Sequence, residues 1–514
     1  MIAALPASAT PGPIERVEDA IDGAFAPVSD AVSTVIFYPV SLGGAEFPWI
    51  VAWLIIGAVV FTIGYRFIQI RGFGHAVALA RGTYDDPDDP GEVTHFQALT
   101  AAVSGTVGLG NIAGVAVAVS IGGPGATFWM IVAGLLGMAT KFVECTLGVA
   151  FREEHADGTV TGGPFRYLRV AFAKLKVPVL PQVLVGVYAI AILAFGMAGG
   201  NMFQANQTFA QAENVTGGAD GPLGSGGASL VFGLVLAGLV GLVIIGGIRS
   251  IAKVTSRLVP AMAIVYVLAC LTVIAFNAGA VPDALASIVT GAFDPEGVAG
   301  GVLGVLVVGF QRAAFSNEAG LGSAAIAHSA VKTKRPVTEG YVALLEPFID
   351  TVIICTMTAV TIVVASPQSW LDARAAYAAG EDPSPDGVVL TSDAFATVIP
   401  WFPAVLAVAV ALFAFSTLIT WSYYTLKAWT TLFGRSRLSE LVFKVLYCVF
   451  IVLGAVLTFS DVLNFADSML FVCALVNILG LYLLAPEVNR MLRDYVAARR
   501  SGEVVPVKDR QPML

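Results

Sequence analysis

The amino-acid sequence is dominated by apolar segments of about 20 residues, the length that an α-helix needs to cross roughly 30 Å of hydrocarbon. Of the 514 residues, 57% are hydrophobic and 12% are charged, and the mean hydropathy is +0.82. Water-soluble domains have an apolar share of about 45–50%. The composition therefore excludes a water-soluble globule and predicts an all-α integral membrane protein.

The apolar segments predict eleven transmembrane helices. They are expected near 50–70, 96–119, 125–150, 183–211, 229–247, 258–277, 298–330, 341–366, 397–432, 441–460 and 462–486. The first is an extra helix, and the other ten divide into two halves of five, 96–277 and 298–486, of opposite orientation. Such a division predicts an inverted five-plus-five repeat. An N-terminal segment (1–49) with a short surface helix near 14–42, and a cytoplasmic tail (487–514), are expected to flank them.

The positions of Lys and Arg predict the orientation, because cytoplasmic loops carry an excess of positive charge. With the C-terminus placed in the cytoplasm, the loops on that side are basic throughout. The opposite loops, near 212–228, 278–296 and 367–396, contain Arg374 alone. An odd number of spans then places the N-terminus outside a multi-pass plasma-membrane protein.

Glycine clusters interrupt the opening helix of each half, at 105–114 (GTVGLGNIAG, the first break) and at 315–324 (FSNEAGLGSA, the second break). Each glycine disfavours helix by about 1 kcal/mol relative to alanine. Glycines elsewhere in the spans are interpreted as close-packing positions, but these two clusters also contain polar side chains, namely Thr106, Asn111, Ser316, Asn317 and Glu318. Irregular backbone inside a bilayer must be buried in protein or line a wet cavity. The two breaks are therefore expected to frame a binding site.

Several short runs of sequence carry a family resemblance. They are 105–116, 122–130, 141–144, 162–164, 315–323, 326–328, 346–351, 415–417 and 421–424. Together they resemble the alanine or glycine:cation symporter family over nearly the whole chain beyond residue 50, with departures at Ile131, Arg166 and Ala325. The resemblance implies sodium-coupled symport of small neutral amino acids, a leucine-transporter-like fold, no enzymatic activity, and no cofactor apart from sodium as coupling ion.

A substrate carboxylate is expected at the first break, because half-helix N-termini present free N–H groups and a positive dipole end. Leu109 and Gly110 are the predicted donors. The other residues predicted to contact substrate come from both breaks and from a later span, namely Thr106, Ser316, Asn317, Phe310, Phe315 and Trp421. The three aromatic residues in this set would wall the pocket and favour alanine or glycine over larger side chains.

Sodium prefers oxygen ligands, and the first break is expected to free the carbonyls of Thr106 and Val107. Asn111 adds a side-chain oxygen. The run 106–111 is also similar to the first core helix of the neurotransmitter:sodium symporters. That resemblance implies that Asn111 and a carbonyl bind one sodium ion.

The same resemblance implies a second sodium ion between the first and eighth core helices. Ser104 and Val107 would supply backbone oxygens from one helix, and Phe413, Ser416 and Thr417 a carbonyl and two hydroxyls from the other. Ser and Thr in membrane helices ordinarily bond their own backbone. Only the resemblance therefore supports a role for these two hydroxyls.

Ionisable residues inside membrane spans default to functional hypotheses. Arg312 and Glu318 flank the second break and are expected to hold its geometry or to form a gate. Asp350 is expected near the membrane midplane as an ion ligand, a proton acceptor or a partner of Arg312. Glu144 lies one turn after Lys141, which favours an intrahelical ion pair or a role in coupling.

Three other functions match parts of the sequence. The run 108–113 matches the G-x-G-x-x-A dinucleotide fingerprint, but it lies inside a predicted span with no soluble strand before it, which excludes a redox enzyme. Broken helices also build channel filters, yet two unequal breaks suit one enclosed site better than a ring. A proton-coupled amino acid symporter of the same fold is the nearest alternative. The expected partners are a small neutral amino acid, sodium and the lipid bilayer, with no nucleic acid; the oligomeric state is left open.

Overall fold

The computed structural model describes residues 27, 29–42, 45–86, 88–156, 158–224, 227–294, 300–381, 387–457 and 460–507. Nearly all regular structure in these ranges is helical, as the composition predicts. Two short antiparallel hairpins are also present, and they pair β1 (Pro39–Leu42) with β2 (Ala45–Pro48) and β3 (Glu153–Glu154) with β4 (Val160–Thr161).

The helices of the N-terminal half include both arms of the first break. They are α1 (29–36), α2 (Trp49–Gly64), α3 (Ile68–Arg71), α4 (Phe73–Ala80), α5 (His95–Thr106), α6 (Ala113–Ile121), α7 (Gly125–Ala150), α8 (Pro164–Ala173), α9 (Leu180–Met197), α10 (Phe203–Val215), α11 (Ala228–Ile244) and α12 (Gly247–Phe276). A π-helical turn, Ala198–Met202, joins α9 to α10 in one continuous helix of 36 residues.

The helices of the C-terminal half include both arms of the second break. They are α13 (Val281–Phe293), α14 (Gly301–Asn317), α15 (Ser323–His328), α16 (Pro336–Ala343), α17 (Leu345–Pro347), α18 (Thr356–Ala365), α19 (Gln368–Ala378), α20 (Gly387–Ala396), α21 (Phe402–Phe433), α22 (Arg437–Val456) and α23 (Ser460–Arg500). A π-helical segment, Phe348–Cys355, lies between α17 and α18, so that Pro336–Ala365 forms one helix.

Seven of the described helices are long and apolar enough to cross a membrane, and the bent pair of α5 and α6 forms an eighth candidate. The other three expected spans fall on α2, α11 and α14, which have 16, 17 and 17 residues. At 1.5 Å per residue such helices extend about 25 Å, somewhat less than the hydrocarbon core. The chain is thus a multi-pass membrane protein, and the count of eleven spans stays a prediction.

The structure departs from the expected ends and loops. Within the segment 14–42, where a short surface helix is expected, the described residues form α1 over 29–36 and then enter the β1–β2 hairpin; the part up to residue 26 lies outside the described residues. The expected loops near 278–296 and 367–396 contain α13, α19 and α20. These helices have 10 to 13 residues, which is too short for a window of about 20 residues to detect.

The two broken helices lie inside the bundle. α5 packs against α12 and α21, while α7 packs against α14, α15 and α16. Every residue from Ala98 to Ala113 is buried. Peripheral helices instead expose leucines, such as Leu234 and Leu242 of α11, which suits contact with lipid. Both breaks are therefore enclosed by protein, the condition under which irregular backbone survives at membrane depth.

Each break is shorter than its glycine cluster. α5 ends at Thr106 and α6 begins at Ala113, and the two arms are bent by 59°. The unwound part of the second break runs from Glu318 (φ 55°) to Gly322 (φ 85°), while residues 315–317 still belong to α14. Left-handed backbone favours glycine, so the end of the second break matches its sequence closely.

Candidate functional site

Side chains replace the helical hydrogen bonds that the first break removes. The backbone N–H of Gly108 donates to Oδ1 of Asn111 at 2.9 Å, and the N–H of Leu109 donates to Oε1 of Gln204 at 3.3 Å. In an unbroken helix these two amides would bond the carbonyls of Ser104 and Gly105. Because buried backbone groups need partners, the two amide side chains stabilise the unwound turn.

The carbonyls released by the break also receive donors, in this case from α21. The hydroxyl of Thr417 donates to the carbonyl of Ser104 at 3.1 Å, and Nε1 of Trp421 donates to the carbonyl of Gly105 at 3.2 Å. A Cβ at Gly108 would lie 2.5 Å from Oγ1 of Thr417. This position therefore requires glycine, since α21 approaches the unwound backbone directly.

A polar cluster joins the two broken helices. Nδ2 of Asn111 donates to Oδ1 of Asp350 at 2.6 Å and to Oγ of Ser316 at 3.0 Å. The hydroxyls of Ser316 and Thr351 donate to Oδ2 of Asp350 at 2.6 and 2.7 Å. Sγ of Cys355 lies 3.1 Å from Oγ of Ser316. Asn111, Ser316 and Asp350, expected as separate contributors to the site, thus form one connected group of side chains.

Asp350 is the ionisable carboxyl group of this polar cluster. Its side chain is fully buried, and among the described residues no ammonium or guanidinium pairs with it, so the expected alternative of a pair with Arg312 is not observed. Arg312 instead lies on α14 within electrostatic reach of Asp467 of α23. A buried carboxylate without a cationic partner is costly. The cluster therefore has the chemistry to bind a small cation.

The second break is held by its own polar residues. Asn317 accepts the N–H of Ala319 at 2.9 Å and donates to Oγ1 of Thr351 at 3.0 Å. Glu318, in left-handed backbone, accepts a hydrogen bond from the hydroxyl of Ser323 at the start of α15. Both side chains are buried. Glu318 therefore links the break to the start of α15, and its two expected roles, holding the geometry of the break and gating, stay predictions.

Three of the residues expected to form a second cation site, Ser104, Ser416 and Thr417, meet where α5 contacts α21. Oγ of Ser104 donates to the carbonyl of Ser416 at 2.6 Å and accepts from Thr420 at 3.1 Å. The hydroxyl of Ser416 bonds the carbonyl of Phe413 at 2.9 Å, within its own helix. Ser416 therefore follows the ordinary habit of a membrane-helix serine, whereas Thr417 reaches across to α5.

Aromatic rings form a wall beside the first break. The ring of Phe195 lies 4.9 Å from that of Trp421 and 6.0 Å from that of Phe315. A Cβ at Gly110 would lie 3.2 Å from the ring of Phe315. Phe310 lies elsewhere, with its ring 6.4 Å from that of Trp129. Of the three predicted wall residues, Phe315 and Trp421 are brought together and Phe310 is not.

The remaining predicted residues of the first break are buried but differ in their contacts. Thr106 bonds the carbonyl of Val103 at 3.3 Å with its hydroxyl, so its side chain supports α5. Val107 is extended, with φ −75° and ψ 90°, which turns its carbonyl away from the axis of α5. The backbone oxygens of Thr106 and Val107 both stay candidates for ion ligands.

The expected intrahelical pair of Lys141 with Glu144 is wrong. Nζ of Lys141 pairs with Oε1 of Glu346 at 3.0 Å, and both side chains are fully buried. Glu144 accepts instead from Asn477 at 2.7 Å and from the N–H of Gly322 at 3.1 Å. Helical spacing brings side chains within reach, but in a packed bundle a partner on a neighbouring helix competes with the local one.

A short helix covers the first break from one side. The hydroxyl of Thr391 on α20 donates to the carbonyl of Ile112 at 3.2 Å. A Cβ at Gly387 would lie 2.3 Å from the carbonyl oxygen of Ala113, so α20 rests directly on the backbone of α6. On α19, Nε1 of Trp370 donates to the carbonyl of Val119 at 3.2 Å. The two helices close this side of the site.

Gln204, Cys355 and Thr351 belong to the site but were not predicted. Gln204 is one of several amides on α10, and nothing in its local sequence distinguishes it from Gln207 or Gln211. Thr351 adjoins Asp350, and this adjacency was the available signal for it. Cys355 lies five residues after Asp350, and this spacing places both side chains on the same face because the segment is π-helical.

Two broken helices that meet at a buried polar cluster, inside a multi-pass helical bundle, define a secondary transporter. The chain belongs to the sodium:alanine symporter family, whose model matches residues 35–509. It is therefore a transport protein for amino acid:cation symport and not an enzyme, as the sequence resemblance implied.

Curated relatives agree with this assignment. The chain is 34% identical to the sodium/alanine symporter AgcS of Methanococcus maripaludis over 87% of this chain and 94% of the relative. It is 32% identical to the amino-acid carrier protein AlsT of Bacillus subtilis, over 89% and 92%. The probable sodium/glutamine symporter GlnT of the same organism is 31% identical, over 87% of each chain. Relatives are thus named for more than one amino acid.

A solved structure supports the fold. The crystal structure of MhsT in complex with L-phenylalanine matches 79% of this chain and 99% of its own, with a TM-score of 0.50 and 15% sequence identity. At this identity the likeness concerns the fold alone. It agrees with the leucine-transporter-like fold that the resemblance implied.

Proposed function

We propose that the protein is a sodium-coupled symporter that carries small neutral amino acids, alanine or glycine, into the cell by alternating access. The observation that carries this proposal is the polar cluster of Asn111, Ser316 and Asp350, which links the two breaks across the core. An ion bound there contacts both broken helices at once. Its binding energy then depends on how those helices are placed, as coupling requires.

The substrate is proposed to lie beside the first break. The backbone amides of Leu109 and Gly110 would receive its carboxylate, with Gln204 as an exchangeable partner that already accepts the N–H of Leu109. Thr106, Ser316 and Asn317 complete the proposed contacts. Phe315 and Trp421 wall the space, and the closeness of the Phe315 ring to Gly110 favours a small side chain. The relatives named for alanine support this choice.

Two sodium sites are proposed. The first uses the carboxylate of Asp350, the hydroxyl of Ser316 and the side chain of Asn111, with backbone oxygen from Val107 or Thr106. Oδ1 of Asn111 faces the N–H of Gly108 and Nδ2 faces Asp350, so sodium binding would require the amide to turn its oxygen toward the ion. Carboxylate, hydroxyl and amide oxygens are ligands that a hard cation prefers.

The second proposed sodium site lies between α5 and α21. Ser104 and Val107 would supply carbonyl oxygens from α5, and Phe413, Ser416 and Thr417 would complete the ligand set from α21. Support comes from the hydrogen bond of Thr417 to the carbonyl of Ser104, since both oxygens already face the same gap. A sodium ion there would tie the first broken helix to α21.

The membrane topology is proposed to follow the sequence. Eleven spans, with an inverted repeat over 96–277 and 298–486, would place the N-terminus outside and the C-terminus in the cytoplasm. Each expected span coincides with a described helix or helix pair, and the basic residues support the orientation. Arg312 and Glu318, at the second break, are proposed to hold its geometry or to form a gate.

The test is uptake of labelled alanine into proteoliposomes, with an inward sodium gradient compared with an equal potassium gradient. Uptake that requires sodium and saturates with alanine supports the symporter, while uptake without saturation indicates a channel. Equal uptake in both gradients favours proton coupling or facilitation. Asp350→Asn should abolish the sodium requirement, whereas Asp467→Asn, a carboxylate on α23 outside the polar cluster, should retain it.

A further inference from the structure

A group of buried ionisable side chains lies beside the proposed transport site. We call His95, Lys141, His328, Glu339 and Glu346 the histidine cluster. Glu339 bonds Nδ1 of His95 through one oxygen and Nδ1 of His328, at 2.5 Å, through the other. Glu346 pairs with Lys141 at 3.0 Å. None of these side chains is more than 4% exposed. No ligand or ion named above uses these residues.

The histidine cluster connects moving parts of the proposed mechanism. His95 is the first residue of α5, and His328 is the last residue of α15, so each belongs to an arm of a broken helix. Glu339 lies on α16 between them. One carboxylate thus joins the arm before the first break to the arm after the second break.

The hydrogen bonds in the histidine cluster leave two imidazole nitrogens able to accept a proton. An ionised Glu339 offers only lone pairs, so Nδ1 of each imidazole carries the hydrogen and each Nε2 is left with a lone pair. With both imidazoles neutral, the histidine cluster contains two carboxylates and a single ammonium, and one added proton balances its charge. Buried charge that is unbalanced is costly. The cluster is therefore suited to bind one proton.

Two atoms in the histidine cluster are positioned for that proton. Nε2 of His328 and Oε2 of Glu346 face each other at 3.8 Å, both buried and both without a hydrogen-bond partner among the described residues. A proton on Nε2 would supply the missing donor. At the other end, Nε2 of His95 lies 3.9 Å from Oδ1 of Asp85, whose side chain is 33% exposed. Asp85 thus provides a contact with water.

Other titratable and charged groups face the histidine cluster from the elements packed around it. They are Asp85 from the loop after α4, His75 from α4, Glu144 and Cys145 from α7, Glu318 from the second break, Asp350 from the π-helical segment and Tyr424 from α21; Arg499 of α23 reaches His75. Four of these groups are carboxyls, namely Asp85, Glu144, Glu318 and Asp350. In their ionised form they add to the negative potential at the cluster and favour its proton-bound form.

We propose that the histidine cluster is a proton-binding site that exchanges with the cytoplasm through Asp85 and is linked to opening of the transporter toward the cytoplasm. The proton passes from a hydronium ion to Nε2 of one of the two imidazoles, and neutral water remains. On His95 the new N–H lies beside Asp85, and on His328 it donates to Glu346. The linkage rests on the alternating-access function proposed above; the proton site itself does not.

The proposed linkage has a direction. In it, opening toward the cytoplasm separates the arm that begins at His95 from the arm that ends at His328, so that Glu339 no longer contacts both imidazoles. The imidazolium then loses a carboxylate partner and releases its proton. Acid on the cytoplasmic side therefore favours the closed state, and alkaline conditions favour opening. For a single linked proton the opening equilibrium changes by at most about tenfold per pH unit.

The transport arm of the test measures sodium-driven alanine uptake into proteoliposomes at fixed external pH. Internal pH is varied over the range in which histidine titrates, about pH 5 to 8. Uptake should fall several-fold as the interior becomes acidic. His328→Gln and Glu339→Gln should flatten this dependence. His155→Gln, which changes a histidine bonded to Thr161 outside the histidine cluster, should retain it.

The second arm reads proton binding without transport. The chain has four histidines, so a ¹⁵N-histidine spectrum of the purified wild type can be assigned with single His→Gln variants. The Nε2 signals of His95 and His328 should titrate together. Glu339→Gln should shift the midpoints of both titrations and should leave the His155 signal as it is in the wild type. Independent titration of the two histidines, unaffected by Glu339→Gln, would overturn the proton site.

The two arms separate the possible failures. Sodium-driven uptake that does not change with internal pH would overturn the linkage while the symporter stands. Absence of uptake with any sodium gradient would count against the proposed function, and the spectrum would still decide the proton site. If Glu339→Gln does not fold, His328→Gln serves in both arms, because loss of His328 must change the titration of His95 if they share a proton.

Discussion

Replacing Thr417 by valine tests the role of its hydroxyl with little change in shape. The hydroxyl donates to the carbonyl of Ser104 at 3.1 Å. As a hydrogen bond between neutral groups it contributes about 0.5–1.5 kcal/mol to folding, whereas a hydrogen bond to a charged group contributes about 1.5–3 kcal/mol, which we take as the scale for a hydroxyl that contacts an ion. If the hydroxyl is a sodium ligand with a contribution of that size, its loss should raise the sodium concentration that gives half-maximal uptake by about 10- to 100-fold.

The assay is the sodium concentration that gives half-maximal alanine uptake, measured together with the melting temperature of the purified protein. Thr417→Ser keeps the hydroxyl and should behave as wild type. Thr425→Val is the matched control, because Thr425 lies buried on the same helix and bonds only its own backbone. A Thr417→Val protein that melts like the Thr425→Val control and keeps the wild-type sodium requirement would refute the ligand assignment.

Three further predictions concern packing, pairing and pH. Gly387→Ala places a Cβ 2.3 Å from the carbonyl oxygen of Ala113, so α20 cannot rest on α6 without a shift. Overpacking of this kind costs about 1–3 kcal/mol of stability, so the variant should melt at a lower temperature and take up less alanine, and wild-type melting and uptake would contradict this. Lys141→Met should cost about 3–5 kcal/mol of stability by stranding Glu346, and adding Glu346→Leu should restore most of it; additive losses in thermal unfolding would argue against the pair. Burial lowers the pKa of His75 to about 4, below the ordinary value near 6.5, so the wild type should lose stability as pH falls through this window, while His75→Gln should lack that component.

The breaks were predictable from sequence because their cause is local. Glycine destabilises helix wherever it occurs, and the clusters at 105–114 and 315–324 both contain unwound backbone. The polar residues within the clusters predicted Asn111 and Ser316 as separate members of the site, and the structure brings them into contact. Their common partner, Asp350, was flagged as an ionisable residue inside a span.

The partners of these residues were not predictable, because they depend on how helices pack. Lys141 has Glu144 one turn away, yet it pairs with Glu346 of another helix. Gln204 supports the first break from a distance of 95 residues along the chain. The position of α20 on α6 likewise follows from contact between backbones at Gly387, which periodicity does not encode.

The hydrogen bonds at the first break have a consequence for exchange with deuterated solvent. The amides of Gly108 and Leu109 are held by the side chains of Asn111 and Gln204, although neither belongs to an α-helix. Exchange of an amide requires that its bond open and that water reach it. These two amides should therefore be protected like helical ones, and the rate at which they exchange during turnover would report how often the unwound turn is exposed.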